Sequence, residues 1–198
     1  MKRLFAGFVM FFVLLAPLCA MAGPALDTVK ANVTVVIDTL KDPKLKGASG
    51  KKVKEQKIEA IADKMFDYVE LSKRTLGLSW NKFTVDQRKE FVELFKDMLR
   101  GTYIDRITAY TNERVNYVKE VPLTDNTTEV QTVVISTNAQ IPINYRAIKK
   151  SSEWKVYDVV IEGVSLISNY RTQFRDILAN NPPQALIDTL RKKKGGNK

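Results

Sequence analysis

The spacing of apolar residues changes twice along the chain, and this change constrains the fold more than any other sequence feature. From residue 24 to about residue 110, apolar residues recur every three to four positions, which predicts amphipathic helices. From residue 114 to about 163 they alternate with polar residues, which predicts strands. Helical spacing returns after Gly163. Because the predicted strands have short connections, the pattern predicts an α+β domain with an antiparallel meander.

The helical segments have recognisable ends. Three helices are predicted before the strands, over residues 24–40, 51–75 and 84–110, with a basic loop over residues 41–50. Gly77 ends the second helix, and Thr84-Val85-Asp86-Gln87 begins the third as a capping box. Two further helices are predicted over residues 165–179, with Ser165 as N-cap, and residues 184–191.

The strands are predicted over residues 114–121, 128–137, 141–147 and 154–163. We therefore expect a curved antiparallel sheet of about four strands packed against several helices. Such a sheet can enclose an apolar cavity rather than a solid core. Residues 23–194 are expected to form a single domain, followed by a disordered tail over residues 195–198.

The first 22 residues have the pattern of an export signal. Lys2 and Arg3 precede an apolar run over residues 4–18, and Ala20-Met21-Ala22 matches the A-x-A cleavage pattern. We expect cleavage before Gly23. The bulky Leu18 before Cys19 disfavours a lipoprotein, and the remaining chain contains no cysteine, so no disulfide can support it. These features predict a protein of the bacterial periplasm.

The composition excludes several kinds of chemistry. The chain has no histidine and one cysteine, Cys19, which excludes Ser-His-Asp and Cys-His catalysis and His-ligated or Cys-based metal sites. We expect neither an enzyme nor a cofactor. The formal net charge of +10 would suit nucleic acid, but export makes that partner improbable. An anionic membrane surface, or a merely solvated basic surface, fits better.

Carboxylates are the remaining acid-base candidates, and each has a structural explanation. Asp63 and Asp67 lie one helical turn apart and are expected on a solvated face. Asp158 lies inside an apolar strand and therefore needs a partner. Arg171 is the expected partner, in a structural ion pair. Ser165 lacks both the G-x-S-x-G context and a base, which leaves it without a nucleophilic role.

Two segments resemble a known family. The first contains Leu76-Gly77, Trp80, Thr84, Gln87-Arg88, Phe91, Phe95, Leu99, Tyr103 and Tyr110. The second, more specific, contains Trp154-Lys155-Val156-Tyr157-Asp158, Glu162-Gly163-Val164-Ser165-Leu166, Asn169-Tyr170-Arg171 and Phe174. The chain resembles the MlaC family of periplasmic phospholipid-binding proteins, also called the toluene-tolerance family, from about Ala25 to Leu190.

The resemblance implies a carrier that moves phospholipid between the outer and inner membranes and maintains outer-membrane lipid asymmetry. Its implied partners are an outer-membrane lipoprotein–porin complex, an inner-membrane ABC transporter complex with an MCE-type ring and, transiently, the membrane surface. The family's pocket positions match Tyr103 and Val164. Further lining residues are inferred from the faces they are expected to share: Leu99, Ile107, Val133, Ile135, Tyr145, Val159, Ile161 and Leu166.

Two other interpretations remain open at the level of sequence. One is an envelope adaptor that tethers complexes through its basic surface and carries no lipid. The other is an enzyme acting on a lipid-like substrate, which the lack of histidine disfavours. A helix-plus-curved-sheet architecture does not decide among them, because similar folds host many functions.

Overall fold

The computed structural model describes residues 23–109 and 112–196. The predicted signal peptide, with Cys19, Tyr110 and residues 197–198 lie outside the described residues. In chain order the helices and strands are α1 (Pro24–Lys41), a 3₁₀ helix (Pro43–Leu45), α2 (Gly47–Met65), α3 (Tyr68–Leu76), a second 3₁₀ helix (Gly77–Lys82), α4 (Val85–Thr108), β1 (Arg114–Thr124), β2 (Thr127–Ile135), β3 (Gln140–Lys150), β4 (Glu153–Ile161), β5 (Val164–Ser165), α5 (Leu166–Leu178) and α6 (Pro183–Gly196).

The strands form one antiparallel sheet in the order β1-β2-β3-β4-β5, which confirms the predicted α+β class. The described sheet has five strands rather than about four. The additional strand, β5, is only two residues long. It forms because Glu162 and Gly163 both adopt positive φ angles, of 49° and 83°, and reverse the chain at once.

The prediction of one helix over residues 51–75 is wrong. The helix begins earlier, at Gly47, and α2 ends at Met65, where Phe66 becomes extended and bridges to Val156 of β4. The Asp67 main-chain N–H donates to the Val156 carbonyl oxygen at 2.8 Å, and the Asp67 side chain caps α3. The sheet therefore interrupts a continuous helical pattern by supplying main-chain partners from β4.

Local capping follows the sequence more closely. Thr84 and Gln87 form the expected capping box at the start of α4, and the Ser165 side chain accepts a hydrogen bond from the Ser168 main chain. The last helix is longer than predicted, because α6 spans Pro183–Gly196 rather than residues 184–191. Ion pairs with α4 hold this extension, such as Lys194 Nζ to Asp97 Oδ2 at 2.5 Å.

Two apolar clusters stabilise the domain. The aromatic cluster joins α3, α4, α5 and α6 around Phe91, Phe95, Tyr170 and Phe174, whose rings pack mainly edge to face at centroid distances of 5.2 to 5.8 Å. The sheet cluster joins α1 and the end of α2 to β2, β3 and β4. Most members of the aromatic cluster are fully enclosed, whereas the sheet cluster has few buried members and many partly exposed apolar neighbours.

Candidate functional site

One face of the sheet is covered by α1. Residues that pair directly across antiparallel strands point to the same face, so Val130, Tyr145 and Val159 form one row across β2, β3 and β4. Thr132, Ile143 and Ile161 form the next row. Helix α1 packs its apolar side against this face through Ala25, Leu26 and Val29. We call this the α1 face of the sheet.

The apolar residues of the α1 face are only partly enclosed. Val159 is buried, but several neighbours that pack against the buried members keep part of their surface accessible. Val164, on β5, is 59% exposed although it is apolar. An apolar surface that folding leaves incompletely covered is typical of a binding site rather than a core. We call the following partly buried residues the apolar lining: Val33, Tyr117, Ile143, Tyr145, Ile161 and Leu166.

Five predicted pocket residues come together here. Tyr145, Val159, Ile161 and Leu166 belong to the sheet cluster. Val164 pairs with Ile161 in the β4–β5 register and therefore lies beside it on the same face.

Two predicted pocket residues lie on the other face of the sheet. Val133 pairs with Pro142 and Ile135 pairs with Gln140, one position out of step with the α1-face rows. Because side chains alternate along a strand, Val133 and Ile135 point away from Tyr145 and Ile161. The intervening Val134, paired with Ile141, shares the α1 face instead.

The α4 candidates are separate from this group. Leu99 is buried in the aromatic cluster, and Tyr103 packs against that cluster while remaining partly exposed. Burial and the neighbouring Tyr170 raise the pKa of Tyr103. Ile107, one turn further along α4, is 39% exposed.

Sequence reasoning did not select Val33, Tyr117 and Ile143 as lining residues. Ile143 could have been found, because the alternating pattern of β3 places it on the same side as Tyr145. Tyr117 and Val33 carry no such signal, since their positions depend on how β1 and α1 pack against the sheet.

A buried hydroxyl group lies within the apolar lining. The Tyr117 hydroxyl is inaccessible to solvent and has no hydrogen-bond partner of good geometry among the described residues, although the nearby Thr34 side chain partly offsets the rise in its pKa. The Lys30 ammonium lies 5.9 Å from the Tyr117 ring centroid. Burial raises the pKa of both Tyr117 and Tyr145, which keeps both hydroxyls neutral near neutral pH.

Asp158 is a buried residue of β4, and its cationic partner is not the expected one. It is 1% exposed and accepts hydrogen bonds from the Ser165 hydroxyl at 2.6 Å and the Ile167 main chain at 3.1 Å. Its cationic partner is Arg146, at 3.4 Å.

The expected Asp158–Arg171 ion pair is therefore wrong. The Arg171 guanidinium donates instead to the Arg74 carbonyl oxygen, at 2.7 and 3.2 Å, because its position on α5 directs it towards α3. Arg146 occupies the position across from Asp158 because β4 bulges at Tyr157 and shifts the pairing by one residue.

A groove lies between the start of α2 and the end of α4. It has a volume of about 340 Å³, and its lining includes Leu45, Lys51, Lys54 and Asp105. The Lys51 ammonium pairs with the Asp105 carboxylate at 3.0 Å. Charged side chains therefore border this groove, unlike the apolar lining.

Two further kinds of feature are not found among the described residues. Over residues 23–109 and 112–196, no three His, Cys, Asp or Glu side chains are grouped so that they could hold a metal ion. None of the helices in this part of the chain combines the length and the apolar character needed to cross a membrane.

Known proteins show what the chain is similar to. The structure of the phospholipid-binding protein from Ralstonia solanacearum in complex with a phospholipid superimposes with a TM-score of 0.77 at 26% identity, covering 88% of this chain and 99% of that one. The intermembrane phospholipid transport system binding protein MlaC of Haemophilus influenzae is 28% identical over 138 residues, and toluene tolerance protein ttg2D of Pseudomonas putida is 26% identical over 157 residues.

The alignments with these two relatives differ in extent. They cover 66% and 78% of this chain, and they span 64% of the Haemophilus protein and 73% of the Pseudomonas protein. The family model described as MlaC protein matches residues 30–192, which include all five strands of the sheet and α1 from Lys30 onward. The chain therefore belongs to the MlaC protein family.

Proposed function

We propose that this protein is a phospholipid-binding carrier of the periplasm of a Gram-negative bacterium. In this proposal it moves lipid between the outer and inner membranes and so maintains outer-membrane lipid asymmetry. The observation that carries the proposal is the close structural similarity, over nearly the whole of both chains, to a protein solved with a phospholipid. The incompletely covered apolar lining supports it from the physical side.

Burial of acyl chains can supply the binding free energy. Each buried methylene contributes about 0.8 kcal/mol, so a chain of roughly 14 methylenes gains about 11 kcal/mol on leaving water. A bilayer offers nearly the same gain. Loading and unloading are therefore close to balanced, as a reversible carrier requires, and docking to a partner must lower the barrier to transfer.

We place the acyl chains against the α1 face of the sheet. Val164 and Ile161 would lie at the mouth, with Tyr145 and Ile143 deeper. Tyr103 is not placed in this pocket, because it packs against the aromatic cluster. Val133 and Ile135 are not part of this proposed pocket, because they lie on the other face. No group of the site is proposed to carry out a reaction, so the protein is a binder and not an enzyme.

The proposed partners are those of an intermembrane transport system. They are an inner-membrane ABC transporter complex with an MCE-type ring, an outer-membrane lipoprotein–porin complex and, transiently, an anionic membrane surface. The basic surface supports the last of these. Lys52 and Lys57 on α2 are exposed, and about 1 kcal/mol per cation favours an anionic leaflet.

The first experiment tests for the cargo. Residues 23–198 are purified without detergent, extracted with organic solvent and examined by mass spectrometry. We expect close to one equivalent of diacyl phospholipid. An empty extract, together with no uptake from phospholipid vesicles, would contradict the carrier proposal and favour the adaptor interpretation.

A pair of variants tests the location of the pocket. Val164→Glu places a charge at the proposed mouth, where an acyl chain cannot solvate it, and should abolish lipid retention. Val118→Glu is the matched control, because Val118 is a strand valine of similar exposure, 49% against 59%. It should retain lipid. Equal retention by both folded variants would place the lipid elsewhere.

A further inference from the structure

Helix α1 begins without a cap of its own. Its N-cap residue is Gly23, which has no side chain, and Pro24 follows at the first helical position. The missing acceptor comes from the sheet, because Glu120 of β1 accepts a hydrogen bond from the Leu26 main-chain N–H at 2.8 Å. A carboxylate in this position also interacts favourably with the helix dipole.

The same carboxylate lies directly against Gly23. A Cβ atom at this residue would meet Glu120 Oε2 at 2.3 Å and Oε1 at 2.7 Å, so glycine is the residue that leaves room for the carboxylate. The Cβ position of any residue is about 2.5 Å from its own main-chain nitrogen. The Gly23 nitrogen therefore lies within about 5 Å of the Glu120 carboxylate.

Gly23 is also the residue that the A-x-A pattern places first in the mature chain. Hydrolysis of the Ala22–Gly23 bond adds water, leaves a carboxylate on Ala22 and converts the Gly23 amide nitrogen into an amine. That amine takes up a proton near neutral pH, since α-amino groups have pKa values of about 8. Cleavage therefore creates a positive charge beside Glu120.

We propose that Glu120 is a binding site for the α-ammonium group that signal cleavage creates at Gly23. The ion pair compensates the repulsion between this ammonium and the positive end of the α1 dipole. In the uncleaved chain the same nitrogen is an uncharged amide and the pair does not form. Removal of the signal thus adds an ion pair between the start of α1 and β1, at the edge of the α1 face.

Other charges near the start of α1 cannot replace Glu120. Asp27 is the acidic residue of the first helical turn, but the side chain that meets the Cβ position of Gly23 is Glu120 and not Asp27. Lys30, one turn further on, carries the same sign as the new terminus. Glu120 is therefore the partner to test, and Asp27 is the control.

The test begins with the mass of the protein recovered from the periplasm, which should show Gly23 as its first residue. Two forms are then compared, one beginning at Gly23 and one retaining Ala22, which moves the ammonium by about 3.8 Å. Retaining Ala22 should raise the unfolding equilibrium constant about fivefold, as expected for a partly buried ion pair. In Glu120→Gln, retaining Ala22 should change the unfolding equilibrium constant less than twofold. In Asp27→Asn, retaining Ala22 should again raise that constant about fivefold.

Acetylation of the Gly23 amine gives a second measurement if Glu120→Gln does not fold. It removes the charge without changing the sequence and should also raise the unfolding constant about fivefold. A mature protein that begins at another residue would overturn the proposal. So would an effect of Ala22 that is equal in the wild type and Glu120→Gln, or no effect of acetylation.

Discussion

Replacement of Asp158 by alanine should destabilise the domain by about 3 to 4 kcal/mol. The change leaves the Ile167 N–H without an acceptor in a buried environment, which costs about 1 to 3 kcal/mol. The Ser165 hydroxyl loses a hydrogen bond to a charged acceptor, and a small cavity remains. Loss of the ion pair with Arg146 adds less to the destabilisation, because the Arg146 side chain is 35% exposed and keeps its second partner, Glu129.

Asp158→Asn should cost less, about 1 to 2 kcal/mol, because the amide oxygen can still accept from Ile167. Asp176→Ala is the matched control on α5. Its side chain is 71% exposed and its loss should change stability by less than about 0.5 kcal/mol. The measurement is urea unfolding followed by circular dichroism, with the slope of the transition checked for each variant.

A double-mutant cycle identifies the cationic partner. Asp158→Asn combined with Arg146→Gln should show a coupling of about 0.5 to 1 kcal/mol, whereas the combination with Arg171→Gln should show none. A loss below about 1 kcal/mol for Asp158→Ala, or coupling with Arg171 alone, would refute this account of the buried carboxylate.

Three further predictions concern single features. Tyr117→Phe should leave stability unchanged or raise it by up to about 1 kcal/mol in thermal unfolding, because it removes a buried hydroxyl without a partner; a loss above 1 kcal/mol would mean that the hydroxyl is bonded. Gly163→Ala should cost about 1 kcal/mol, since φ is +83° there, while Gly101→Ala in α4 should not destabilise; equal effects would argue against turn strain. Burial raises the pKa of Tyr145 and Tyr68, so the contribution of these two neutral hydroxyls to folding stability is complete below pH 10 and declines above it. Because the chain has no histidine, the urea midpoint of unfolding should show no step between pH 6 and 7.

The strand pattern predicted the sheet well but could not determine which residues face α1. Val133, Val134 and Ile135 are consecutive apolar residues, so period-two alternation does not indicate which of them face α1. The pairing with β3 decides it, by placing Val134 opposite Ile141. The β1–β2–β3 meander was therefore predictable, whereas the side of the sheet that α1 covers was not.

The partner of Asp158 was missed for a related reason. The β3–β4 hairpin pairs Lys150 with Glu153, and counting back from this turn brings Arg146 opposite Tyr157. The bulge at Tyr157 shifts the register so that Arg146 faces Asp158 instead. A bulge has little signature in sequence, so the pairing of Arg146 with Asp158 could not be predicted from the hairpin alone.

The break between α2 and α3 could not be predicted from the sequence either, because a tertiary contact causes it. Residues 51–75 keep helical spacing throughout, and no glycine or proline marks the break at Phe66. Strand β4 supplies the main-chain partner that ends α2. Tertiary contacts of this kind override local propensity, while the Thr84 capping box, which depends only on neighbouring residues, was predicted correctly.

The division of the core into two clusters has a consequence for how a carrier can fill and empty. The aromatic cluster has its own fully buried members and does not include α1. We therefore expect hydrogen exchange to protect α4 and α5 at the level of global unfolding, and α1 at a lower level. An empty and a filled protein would then share one rigid scaffold, with the cost of accommodating cargo confined to a single helix and the sheet beneath it.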